Sequence, residues 1–116
     1  MDVFDSNPGE GRRTATMVAR QFHRGWQDRD RSKIQLHEDM YFSDGEEKYS
    51  SAEEFLEARW KFSGRPFENI QYISDNKGTL CARYEIANED GTTSAFCEII
   101  TVEDEKVAMI EVFHAK

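Results

Sequence analysis

The chain has 116 residues, with 15 Lys and Arg against 23 Asp and Glu, a net charge of −8 at neutral pH. That length suits one compact domain, and eight Phe, four Tyr and two Trp supply large groups for its core, which argues against disorder. The acidic balance argues against nucleic acid as the main partner, because counterion release needs clustered Lys and Arg.

Residues 1–13 read as a flexible tail with a turn at Asn7-Pro8-Gly9 and no apolar stretch of the kind a secretory signal needs. From Thr14 the pattern turns helical. Met17, Val18, Phe22, Gly25 and Trp26 recur at spacings of three and four, and Thr14 or Thr16 can cap the start. The charged run Asp28–Arg31 ends the stripe, and Ser32 caps a predicted second, short helix reaching Leu36. Met40-Tyr41-Phe42 begins a strand that Ser43-Asp44-Gly45 closes with turn chemistry. Ser50 and Ser51 each stand three residues before a Glu (Glu53, Glu54), the signature of a capped helix, which runs through Phe55, Leu56, Arg59, Trp60 and Phe62 to Ser63-Gly64.

Beyond Phe67 the pattern is strand. Asn69–Ser74, Thr79–Asn88, Thr92–Val102 and Lys106–His114 are separated by the short turns Asp75–Gly78, Glu89–Gly91 and Glu103–Glu105, which predicts an antiparallel meander. Helices ahead of a sheet make the class α+β. The last strands are apolar on both faces, where a sheet with one wet face should alternate cleanly between apolar and polar. The expectation is therefore a homodimer through the open face of the sheet.

No apolar run approaches the roughly 18 residues of a membrane span, and no membrane partner is expected. Cys81 and Cys97 fit neither a metal spacing nor a disulfide scaffold, so a reduced, cytoplasmic protein is expected and the two thiols read as buried. No cofactor or metal is expected: the sequence shows no Gly-rich phosphate loop, no nucleophile elbow and no convergent ligand set. His23 on the charged helix and His37 in a polar connection read as surface residues, and His114 as a residue of the dimer face.

Four stretches carry a likeness to a known family: Ala19-Arg20 to Asp30, Met40–Asp44, Ser51–Phe55 and the closing hairpin Phe96–Phe113. With the element order they make residues 14–116 resemble the SnoaL-like and ketosteroid isomerase-like branch of the nuclear transport factor 2-like superfamily. The resemblance implies a cone in which three N-terminal helices pack on a curved antiparallel sheet of cystatin-like fold and leave a pocket at the open end. The superfamily includes isomerases, cyclases, dehydratases and epoxide hydrolases, and also binding modules without chemistry, so fold alone does not give function. Carried over from the isomerase, Asp44 falls in the place of the general base and Glu98 in that of the protonated acid, with Val102 as its apolar partner. Phe22 stands where the isomerase has a first-helix tyrosine, which removes half of the enolate-binding hole.

Two carboxyls can take opposite roles when their surroundings push their pKa values apart. Strand parity puts Phe96, Glu98, Ile100 and Val102 on one face, and on the next strand Met109, Glu111 and Phe113 are expected to share it, bringing Glu111 toward Glu98 beneath Asp44. Inside an apolar strand Glu98 must be protonated, paired or turned to solvent, with Arg59, Arg83 or His114 as candidate partners. Asp44, in Ser-Asp-Gly, also reads as a plain turn residue. Phe22, Trp26, Phe42, Phe55, Trp60, Phe96, Met109 and Phe113 are candidate ligand contacts, the first five also reading as core. The expected function is binding of a small, mostly apolar ligand, with cofactor-independent acid–base chemistry by Asp44, Glu98 and Glu111; the alternative is a non-catalytic ligand-binding or protein-interaction module.

Overall fold

The structure is a computed structural model that describes residues 13–114. Of the expected tail only Arg13 falls within them, its backbone N–H and its Nε both donating to Glu105 Oε1 at 3.3 Å; the Asn7-Pro8-Gly9 turn lies outside the described residues.

Helix α1 spans Ala15–Asp28. Thr14 caps it, Oγ1 accepting from the Met17 N–H at 3.2 Å. Its exit is tight: Asp30 N–H donates to Gly25 O at 2.8 Å, and a Cβ on Gly25 would stand 2.6 Å from Ile34 Cγ1 and 2.9 Å from Asp30 O. Only glycine lets the chain turn back this closely.

The predicted second helix is a correction. A single 3₁₀ turn, Arg31–Lys33, replaces it, capped by Asp30, and Leu36 already begins strand β1 (Leu36–Ser43). The sheet captures this segment: Val107 N–H donates to Gln35 O at 2.8 Å and Leu36 pairs with Val107. Among the described residues there are therefore two α-helices, not three. Strand β2 (Lys48–Tyr49), which the sequence did not suggest, pairs antiparallel with β1. Helix α2 (Ala52–Arg59) starts at the expected cap: Ser51 Oγ accepts from the Glu54 N–H at 3.1 Å, and Glu54 Oε1 accepts from the N–H of Ser50, one residue before the cap, at 3.3 Å. It tightens into a 3₁₀ turn at Trp60–Phe62.

Strands β3 (Glu68–Ser74), β4 (Thr79–Ala87), β5 (Thr93–Glu103) and β6 (Lys106–His114) form the predicted meander. Strand β6 then pairs in parallel with β1, so the sheet order is β2-β1-β6-β5-β4-β3 and the sheet is mixed rather than wholly antiparallel. Local turns identify sequential neighbours but carry no signal for where β1 docks.

Both helices cover one face. Val18, Ala19, Phe22 and Trp26 of α1 and Phe55 of α2 are buried against Met40, Phe42, Leu80, Ala82, Ile100, Val107 and Ile110 of the sheet. A bulge decides which residues of β6 join them. Val107 pairs with Val102, but the next register partners are Met109 and Thr101, so Ala108 is an extra residue. The extra residue reverses the alternation: Val107, Ile110 and Val112 face the helices, and Met109, Glu111 and Phe113 face away. No helix among the described residues is long and apolar enough to cross a membrane.

Candidate functional site

A cavity of about 270 Å³ opens between the helices and the covered face of the sheet. Its wall is mostly apolar and aromatic: Phe22 and Trp26 from α1, Phe42 from β1, Phe55 from α2, Phe62, Phe67, Ile86 and Phe96, Ile110 and Val112. The polar groups are few: Tyr84, Asn88 and three charged residues, Arg59, Arg65 and Glu98. Arg65 is exposed and Arg59 half-buried, whereas Glu98 is only 6% exposed. Cations therefore mark the mouth and the carboxyl group marks the floor.

Glu98 is held from two sides. Tyr84 Oη donates to Glu98 Oε2 at 2.5 Å. His23 Nε2 lies 2.7 Å from Glu98 Oε1, and His23 Nδ1 lies 2.9 Å from Tyr72 Oη. His23 is 3% exposed, boxed by the rings of Phe22, Phe67, Tyr72 and Tyr84. A buried carboxylate needs partners on both oxygens, and this one has them. A hydroxyl can donate or accept, so every bond survives whether the shared proton rests on His23 Nε2 or on Glu98 Oε1.

Burial pushes the Tyr84 phenol well above its ordinary range, and the neighbouring Glu98 charge and hydrogen bond push it further. Burial, followed by the Glu98 charge, raises Tyr72 to about 12. Both phenols stay protonated at neutral pH and act as hydrogen-bonding groups, not bases. Tyr72 and His23 also line a separate outer groove between α1 and β3, with Arg20, Arg24, Gln27 and Gln71. The chain Glu98–His23–Tyr72 thus runs from the floor of the cavity to a polar groove on the far side of α1.

The other expected site residues lie elsewhere or play other parts. Asp44 does not line the cavity. Its Oδ1 accepts from the Glu46 and Glu47 N–H groups at 2.9 and 2.7 Å, and its Oδ2 accepts from Arg59 Nη1 at 3.3 Å. Burial alone would raise its pKa, but those N–H groups and the Arg59 charge outweigh it and hold the carboxyl below its usual value. It is the turn residue, and it steers Arg59 toward the mouth. Glu111 is a correction: it pairs with Ile99 on the open face, while Glu98 pairs with Val112. Met109 and Phe113 follow Glu111 for the same reason, the bulge at Ala108. Phe22, Trp26, Phe42, Phe55 and Phe96 do line the cavity. Trp60 packs behind it, 4.9 Å from Trp26 and capped by Arg31. Phe96 stacks on His114, which places His114 on the covered face rather than the open one. Cys81 and Cys97 are half-buried and diagonal across β4 and β5, their sulfurs 2.7 Å apart.

The partner of Glu98 is His23, not Arg59, Arg83 or His114, and His23 is no surface residue. The signal was present: Ala19, Phe22, His23 and Trp26 stand at positions 0, 3, 4 and 7 of one helical face. Tyr84 was likewise readable, alternating with Leu80, Ala82 and Ile86 on the buried face of β4. His37 is half-buried on β1, its Nε2 3.8 Å from Asp104 Oδ2. Among the described residues no group of His, Cys, Asp and Glu has the arrangement to hold a metal ion.

An NTF2-like protein of unknown function from Cytophaga hutchinsonii superposes with a TM-score of 0.77 at 14% identity, over 90% of this chain and 92% of that one. The fold is that of the nuclear transport factor 2-like proteins. Within that fold, a Pseudomonas putida protein named as a candidate polyketide cyclase matches with a TM-score of 0.75 at 13% identity, over 90% of this chain and 93% of the other. A Mycobacterium tuberculosis LEH-like epoxide hydrolase matches with a TM-score of 0.73 at 16% identity, over 87% and 82%. No protein-family model matches the sequence, and no curated protein does. At these identities the nuclear transport factor 2-like likeness is one of fold; the chemistry has to be argued from the cavity.

Proposed function

We propose that the protein binds a small, mostly apolar molecule in the aromatic cavity and exchanges a proton with it through Glu98, in cofactor-independent isomerase-, cyclase- or dehydratase-type chemistry. One observation carries this reading: a single carboxyl group at the floor of an apolar cavity, hydrogen-bonded to a buried histidine that can hold its proton. General acid–base groups work when their proton affinity suits the operating pH and a proton has somewhere to go. Here Glu98 takes or gives the proton at the ligand, Tyr84 steadies the carboxylate, and His23 stores the proton on the side away from the ligand. The hydrogen bond onward to Tyr72 leads toward solvent without crossing the cavity. Neighbours named for cyclase and epoxide hydrolase activity lend the reading support. Glu111 has no part in it, and Asp44 acts through Arg59.

The test is exchange of the α-hydrogens of β-tetralone, a bicyclic apolar ketone, in deuterated water, followed by NMR. The wild-type protein should accelerate exchange, and Glu98→Gln, which keeps shape and removes the base, should lower the protein-catalysed rate about a hundredfold or more. Equal rates for the two proteins would refute the assignment.

A second reading, a ligand carrier without chemistry, is favoured by one observation: both oxygens of Glu98 are already engaged, by Tyr84 and His23. It predicts that Glu98→Gln alters ligand affinity or stability and no rate.

The open face supports a homodimer as the working assembly. Cys97, Ile99 and Met109 are half-buried there, with Phe113 53% and Ile73 72% exposed, a patch of the kind that marks an interaction surface. Sedimentation equilibrium should give twice the chain mass, and Phe113→Glu should give the monomer; a wild-type monomer at high concentration refutes it.

A further inference from the structure

The cavity carries a surplus of hydrogen-bond donors. Its one carboxyl group has both oxygens committed to Tyr84 and His23. The Asn88 amide nitrogen is committed to Thr92 and Ser94. The Asn88 Oδ1 remains a neutral acceptor, but the charged capacity left unspent lies with a donor. A guanidinium has five N–H groups, and Arg65 spends one, from Nη2 to the Ala87 carbonyl at 2.9 Å; among the described residues it has no carboxylate partner. The ring of Trp26 lines the cavity, while its indole N–H is shut off from the cavity surface and has no partner among the described residues. The Trp26 ring therefore reports on the cavity's occupancy, and the donor left open to a ligand is the Arg65 guanidinium.

Charge adds direction to the same argument. The chain as a whole is strongly acidic, yet both cations of the cavity are at its mouth. Arg59 is fixed there: Nη1 lies 3.3 Å from Asp44 and 3.7 Å from Glu47, and its guanidinium covers the rings of Phe42 and Phe62. Asp44 and Glu47 thus offset much of the Arg59 charge. Among the described residues Arg65 is left as the cation of the mouth without a carboxylate partner, and its planar fork suits one.

We propose that the ligand is an apolar carboxylic acid, its ring or chain in the aromatic hollow and its carboxylate held by Arg65 at the mouth. This deepens the cavity reading above and rests on it. The ligand's far end then points at Glu98, so the natural ligand carries its reactive carbonyl or hydroxyl at the end remote from the acid. The carboxylate fixes which end enters, and it keeps a second negative charge away from Glu98.

Isothermal titration calorimetry on the full chain with naphthoate and its neutral analogue naphthamide tests this, read beside the indole N–H resonance of Trp26. The expected result is naphthoate binding about tenfold tighter than naphthamide. Arg65→Gln should reduce that preference to less than twofold, chiefly by weakening naphthoate. Equal affinities in the wild type, or a preference that survives Arg65→Gln, would overturn the carboxylate assignment and leave the apolar cavity standing. If neither compound binds or moves the Trp26 resonance, the cavity reading falls, and this proposal with it.

Discussion

Tyr84→Phe removes a single oxygen from the centre of the buried network and leaves the ring. That ring sits edge-on to Phe67 at 4.8 Å and stacked on Phe96 at 5.5 Å, so its packing survives the change. What is lost is one hydrogen bond to Glu98 Oε2, in a place where the carboxylate cannot find bulk water. Hydrogen bonds to charged groups contribute about 1.5–3 kcal/mol. The adjoining cavity can admit a water to the vacated position, which puts the expected cost near the lower end, about 2 kcal/mol. For a domain of this size that corresponds to a melting temperature lower by about 8 °C. Urea titration at neutral pH measures it. Tyr49→Phe is the control, because its hydroxyl bonds Glu47 near the surface and should matter by less than about 0.5 kcal/mol. Repeating Tyr84→Phe in the Glu98→Gln background should reveal a coupling of about 1 kcal/mol. The pH dependence has a definite sign. The folded chain keeps the Tyr84 proton above pH 10, where the unfolded chain loses it. Stability is therefore full below pH 10 and falls above it, by about 1.4 kcal/mol per pH unit for this one group. Tyr72 adds a smaller fall that levels off near its own pKa of about 12, since it is half exposed. Tyr84→Phe should flatten the alkaline limb. A variant as stable as wild type, with the same alkaline limb and no coupling to Glu98, would refute the network.

Gly25→Ala puts a methyl group within 2.6 Å of Ile34 Cγ1 and 2.9 Å of the Asp30 carbonyl, and should cost about 1–3 kcal/mol in denaturant unfolding; a neutral result would mean the α1 exit is looser than drawn. Asp44→Asn loses the charge that holds Arg59 and weakens the turn, for about 1 kcal/mol, as when a capping residue is lost. Measured beside it, the exchange rate on β-tetralone should stay within threefold of wild type. A collapse of that rate without a matching loss of stability would return Asp44 to the role of base.

Much of the fold could be read along the chain because its signals are local. Thr14 and Ser51 cap their helices as their spacing suggested, and the four strands of the meander lie between turns built from Asp, Asn and Gly. The misses are non-local. The parallel seat of β1 beside β6 depends on residues some 70 positions apart (Leu36 with Val107), and it also dissolved the expected second helix by drawing Gln35 and Leu36 into the sheet. The bulge at Ala108 reversed the parity of β6, and an apolar pattern on both of its faces left nothing in the sequence to reveal it. The resemblance to the isomerase points to Glu98, and strand parity with Ile100 gives its face. Its partner is harder to read, because a histidine among arginines looks solvent-facing, although the helical angle of position 23 matches that of Phe22 and Trp26 within one step.

The Tyr84–Glu98–His23–Tyr72 chain is hard to account for by stability alone. Replacing buried ionic groups with apolar ones of similar volume is often neutral or stabilising, whereas removing one partner leaves the other stranded and costs several kcal/mol. A fold whose only need was a filled interior would do as well with leucine and phenylalanine at these positions, on a sheet already lined by Leu80, Ile100 and Ile110. The polar chain also stops where chemistry would want it to: one end opens on an apolar cavity, the other on a groove flanked by Arg20 and Arg24. A purely architectural network gains nothing from ending at two open spaces. The arrangement makes sense if the carboxyl group must meet something that enters the cavity, and must recover its proton by a path the occupant does not block. Glu98→Gln therefore discriminates between the two accounts. An architectural Glu98 predicts a change in stability and none in proton exchange with a bound ketone; a working one predicts loss of exchange in a protein that still folds.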